Sequence, residues 1–135
     1  MNREIKFRGK SNHPESFSYG DFVFGSLITR GELAPLINVY DENGSRDVRV
    51  DPETVGQFTG VKDINGREIY EGDIVRVRVT NDRFKKNPRF SNGVVTFNKY
   101  NGGWANGCYY QFLPGRMEVI GNIHDNPNLP EGGEQ

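Results

Sequence analysis

Five Asn-Gly dipeptides, Asn43-Gly44, Asn65-Gly66, Asn92-Gly93, Asn101-Gly102 and Asn106-Gly107, divide the chain into short pieces. Asn and Gly tolerate positive φ best, and the two-residue type I′ hairpin turn requires it at both central positions. Each pair therefore predicts a reversal between antiparallel strands. Five reversals in 135 residues leave room only for short strands, and 17 glycines with seven prolines fit the same reading. The expected fold class is all-β.

The segments between the reversals alternate with period two. Ile5 and Phe7 are separated by Lys6 and followed by Arg8, while Val75, Val77 and Val79 are separated by Arg76 and Arg78. Such strands bury one face. Further strands are predicted at 22–28, 36–40, 47–50, 67–70, 94–98, 108–113 and 117–124, all short runs rich in β-branched or aromatic residues. No window of eleven residues free of Gly and Pro carries an apolar stripe of helical period. The exception is one short turn at Asp51-Pro52-Glu53-Thr54-Val55, where Asp51 can cap and Pro52 can occupy the first helical position. The stretch from Arg83 to Asn92 reads as a long loop. Residues 126–135, with two prolines and only Leu129 to bury, read as a mobile tail.

Composition excludes several classes of function. A net charge of −1 does not describe a protein built to coat nucleic acid along its whole surface. Cys108 is the single cysteine, so there is no internal disulfide and no cysteine-rich zinc site, and a reducing compartment is expected. The opening Met1 to Lys10 has no apolar stretch of the kind that directs export, and no run approaches the length that spans a membrane. His13 and His124 are the only histidines, far apart and without metal-ligand spacing, so no metal and no cofactor is expected.

Cys108, followed by Tyr109, Tyr110 and Phe112, reads as a buried inert thiol rather than a nucleophile. Glu68, Glu71 and Asp73 lie close enough in sequence for acid-base work, yet Glu71 and Asp73 flank Gly72, where short acidic side chains ordinarily hold a turn by accepting backbone hydrogen bonds. The expectation is that the chain is not an enzyme. One cluster stands out: Arg76, Arg78, Arg83, Lys85, Lys86 and Arg89 surround a single acid, Asp82, with Phe84 and Phe90 interleaved. Cations for phosphates and rings for bases are what a sequence-tolerant nucleic-acid site uses. The plainer reading is a charged strand edge guarded against aggregation, with the phenylalanines buried.

The run Gly60-Val61-Lys62-Asp63-Ile64-Asn65-Gly66-Arg67-Glu68-Ile69-Tyr70-Glu71-Gly72-Asp73-Ile74-Val75 resembles the YopX family of phage and prophage proteins. The same resemblance extends to Arg3 to Lys10, Phe24 to Ile28, Val55 to Gly60 and Glu118 to Pro127, in order along nearly the whole chain. It implies a phage-derived all-β protein with a barrel-like part and carries no established activity.

Together these readings predict one all-β domain. A β-meander over residues 1–60 packs on an SH3-like barrel over 61–125. The expected function is a non-enzymatic interaction module with an unidentified protein partner, in the cytoplasm of a host bacterium and away from membranes. The alternatives are a nucleic-acid binder using the basic 76–89 segment and a structural homo-oligomer.

Overall fold

The computed structural model describes residues 4–14, 19–78, 90–98, 103–105 and 114–129. The fold is all-β: the described helical residues form only two three-residue 3-10 turns. The chain divides into two compact units, Met1–Phe58 and Thr59–Gln135.

In the first unit, β1 (Phe7–Lys10), β2 (Phe22–Arg30), β3 (Leu33–Asp41) and β4 (Gly44–Arg49) form a sheet in the order β4-β3-β2-β1. The opening residues of β5 (Gly56–Lys62) lie against β1 in the register Phe7↔Gln57. One face carries the core, where Val23, Ile37, Val48 and Val50 are buried with Phe7, Leu27, Val39 and Val55 packed against them. Alternation thus turns Phe7 toward the core as expected, where it is partly buried, but Ile5 precedes β1 and is exposed. The predicted turn at Asp51 is present: Asp51 Oδ1 accepts the Glu53 N–H at 3.3 Å and a 3-10 turn spans Pro52–Thr54.

In the second unit the remainder of β5 borders β6 (Glu68–Tyr70). A three-stranded sheet has β7 (Asp73–Arg78) between β8 (Phe90–Val94) and the last strand, while β9 (Thr96–Asn98) pairs with β10 (Gly103–Ala105). That last strand is β11 (Met117–Asn122). The strands β1-β2, β1-β5, β2-β3, β3-β4, β7-β8, β7-β11 and β9-β10 pair antiparallel. Ile69, Val75, Val77, Val95, Met117 and Val119 form the core of this unit, with Trp104 against it. Among the described residues these sheets stay open. The closed SH3-like barrel expected over 61–125 is therefore corrected to antiparallel sheets without barrel closure.

The Asn-Gly expectation also needs correction. No described residue other than glycine has a positive φ. In Asn43-Gly44 and Asn65-Gly66 the glycine alone takes the left-handed conformation, at +104° and +85°, so the chain does reverse at both but not through a type I′ turn. Asn92-Gly93 is not a reversal at all. It lies inside β8, which also overturns the reading of residues 90–92 as loop. Asn101-Gly102 and Asn106-Gly107 lie outside the described residues.

Asp63 holds the turn before β6 together. Its Oδ1 accepts the N–H groups of Asn65 and Arg67 at 2.9 and 2.8 Å, and its Oδ2 accepts that of Val119 at 2.8 Å. The side chain is buried. Burial works to raise its pKa, but the three backbone donors outweigh it and hold the carboxyl below the ordinary aspartate range. At the C-terminal end, Asn122 Oδ1 accepts from the N–H groups of His124 and Asp125, and Asn126 N–H donates to the Asn122 carbonyl. Residues 126–129, read as the start of a tail, are therefore tied by hydrogen bonds that include Leu129 N–H to the Asn126 carbonyl.

Candidate binding surfaces

On β7 the alternation that sends Val75 and Val77 into the core places Arg76 and Arg78 on the opposite face. The register Arg76↔Asn92 and Arg78↔Phe90 sets β8 side chains beside them, and Glu118↔Arg76 adds an acid from β11. The Arg76 guanidinium lies 4.1 Å from the Phe90 ring centroid. Three of the eight predicted nucleic-acid residues, Arg76, Arg78 and Phe90, thus come together on one face. Arg83, Phe84, Lys85, Lys86 and Arg89 lie outside the described residues. Phe90 is partly exposed, against the plainer expectation of a buried ring.

Sequence reasoning missed Asn92. Its Oδ1 and Nδ2 are both shielded from solvent without a hydrogen-bond partner among the described residues, and so is the Nε of Arg76 directly across the strand pair. A shielded polar group without a partner costs about 1–3 kcal/mol. A cation over a ring returns only about 0.5–1 kcal/mol near the surface. The Arg76-Phe90 contact is therefore too weak to explain why three unpaired polar atoms are kept here.

Of the three candidate catalytic carboxylates, Asp73 and Glu68 hold the backbone and side chain of Tyr70. Asp73 Oδ2 accepts the Tyr70 N–H at 2.8 Å across the Glu71-Gly72 turn, and Glu68 Oε1 accepts the Tyr70 hydroxyl at 2.9 Å. Cys108 lies outside the described residues. Among the described residues no three of His, Cys, Asp and Glu gather into a metal-ligand group, and no helix is long and apolar enough to cross a membrane.

A second surface belongs to the first unit, on the sheet face opposite its core. The register Arg8↔Phe24 and Lys10↔Phe22 alternates cations of β1 with rings of β2. The Arg8 guanidinium lies 4.4 Å from the Phe22 centroid and Lys10 Nζ 5.4 Å from it, so these cations are engaged with the chain's own ring. Beyond them the β2-β3 hairpin leaves large apolar side chains in solvent: Phe24 at 45%, Leu33 at 64% and Tyr40 at 81% exposure, with Ile28 also exposed. Phe24, Ile28 and Tyr40 share this face, and Leu33 stands at the hairpin end. The signal was present in the sequence, because Phe22 to Ile28 is apolar at alternate positions of both faces while only one face can reach a core.

The family model described as YopX protein matches residues 6–131. The chain belongs to the YopX family. A crystal structure of protein EF1440 from Enterococcus faecalis is similar to this YopX chain, with a TM-score of 0.58 and 20% identity over 95% of this chain and 99% of that one. At that identity the likeness establishes a shared fold. No curated protein matches this YopX chain.

Proposed function

We propose that this YopX chain is a non-enzymatic, phage-derived interaction module of the bacterial cytoplasm, which holds a protein partner against the β2-β3 hairpin of its first unit. One observation carries it: Phe24, Ile28, Leu33 and Tyr40 are all exposed on a single hairpin. Isolated apolar side chains on a surface are ordinary, but several large ones exposed on one hairpin are what protein interfaces use as anchors. A protein is favoured over an acidic polymer here because the cations of this face already contact rings of the chain, while the most exposed groups are apolar.

The test is capture from phage-infected cells with the wild type and with a Phe24→Ser/Tyr40→Ser variant whose melting temperature is checked. A protein retained by the wild type and lost by the equally stable variant supports the proposal. Equal capture by both, or a solution mass showing that the hairpin is occupied by a second copy of the chain, overturns it. A second reading, nucleic-acid binding, is favoured by the convergence of Arg76, Arg78 and Phe90 on one face of the second unit.

A further inference from the structure

We infer that the Arg76-Asn92-Phe90 face of β7 and β8 is a base-selective subsite for single-stranded nucleic acid, with adenine as the base it reads. The inference sharpens the second reading above and replaces the sequence tolerance expected for the basic segment.

The Asn92 carboxamide presents an acceptor atom, Oδ1, and a donor atom, Nδ2, neither of which has a partner among the described residues. A carboxamide in this condition matches the N7 acceptor and N6 amino donor of adenine, which asparagine reads with two hydrogen bonds. The Nε of Arg76, directly opposite on β7, is a further donor without an acceptor among the described residues. Phe90 lies two residues before Asn92 on the same strand and face, and it carries the Arg76 guanidinium on its ring at 4.1 Å. A base takes the place of that guanidinium: it stacks on Phe90, its edge meets Asn92, and the freed Arg76 donates to the ligand. The exchange replaces a weak cation-ring contact by stacking and gives partners to the three polar atoms.

The neighbours decide between a base and a phosphate. Glu118 flanks Arg76 in register from β11, and its Oε2 takes only a long contact of 3.4 Å from Asn65 Nδ2. A carboxylate at that position repels a phosphate but leaves a neutral base edge undisturbed. Arg78, exposed at the end of the same face, is the cation placed for the backbone.

The test is fluorescence anisotropy with labelled oligo-dA, oligo-dC and oligo-dT of one length at low and physiological salt, with adenosine monophosphate as competitor. Oligo-dA is expected to bind tightest. Asn92→Leu is expected to lower oligo-dA affinity about tenfold or more, to the level of the other oligomers, without lowering the melting temperature. Phe90→Leu is expected to weaken all three oligomers alike, which separates stacking from edge reading if Asn92→Leu folds poorly. Equal affinity for the three oligomers, unchanged oligo-dA binding by a folded Asn92→Leu, or no binding at low salt overturns the inference. Competition by adenosine monophosphate equal to that by oligo-dA overturns the polynucleotide source. The Phe24→Ser/Tyr40→Ser variant is expected to bind oligo-dA normally, so this subsite and the protein-binding hairpin can fail separately.

Discussion

The carboxylate of Asp63 accepts the backbone N–H of Val119 at 2.8 Å, across 56 residues of chain. The same group holds the N–H donors of Asn65 and Arg67. Asp63→Ala therefore leaves three backbone donors without their acceptor in a buried turn. It is expected to lower stability by about 3 kcal/mol or more, given that hydrogen bonds to a charged group contribute about 1.5–3 kcal/mol each and not all the loss is additive. Urea denaturation measures this directly, and a variant with an unchanged midpoint would contradict it.

Acid should act through the same residue. The folded Asp63 titrates below the ordinary aspartate value of 3.8. Its contribution is fully present above that unfolded-state value and is lost as pH falls through the lower, folded-state one. Stability of the wild type is expected to fall in the region below 3.8, and Asp63→Asn should lose less over the same interval. Thermal unfolding followed across that range, with parallel curves for the two proteins, would refute the assignment.

Strand spacing makes Gly25 irreplaceable. A Cβ there would stand 1.9 Å from the carbonyl oxygen of Asn38 on β3, whereas one at Gly115 would meet nothing within 4 Å. Gly25→Ala is expected to destabilise by about 2 kcal/mol or more, through strain of the kind that overpacking produces. Gly115→Ala should stay within about 0.5 kcal/mol of wild type, as unobstructed surface changes do. Comparable melting temperatures for the two variants would remove the steric account.

Arg76 and Phe90 should be energetically coupled. A double-mutant cycle with Arg76→Gln and Phe90→Leu is expected to return an interaction of about 0.5–1 kcal/mol for a cation over a partly exposed ring. Strict additivity of the two changes would show that the 4.1 Å stacking contributes nothing to folding.

Local pattern carried most of the fold. The valine alternation of β7, the hairpin strands of the first unit and the capped turn at Asp51 were all legible, because neighbours in sequence determine them. β5 and β8 were not. Gly56-Gln57-Phe58-Thr59-Gly60 is broken by glycines at both ends, and Phe90-Ser91-Asn92-Gly93 has the composition of a loop until β7 supplies its pairing partners. The Asn-Gly rule failed at Asn92 for the same reason. Of the candidate sites, the sequence showed the cations and rings around Arg76 but gave no weight to Asn92. Its lack of hydrogen-bond partners among the described residues shows only once β8 is paired with β7. The role of Asp63 was likewise invisible, since Val119 is far along the chain.

The position of β7 also affects how the molecule is made. Val77 pairs with Ser91 on one side and with Met117 on the other, so the central strand of the second unit acquires its second flank only when the final strand leaves the ribosome. In the first unit β2, β3 and β4 each pair with the strand translated just before them, and the second flank of β1 is supplied by Gly56 and Gln57 at the end of that unit. Synthesis from the N-terminus thus delivers a foldable first unit while Val75 and Val77 still wait beside an unpaired edge. A message truncated before Met117 would yield a half-finished sheet whose open edge invites pairing with other chains.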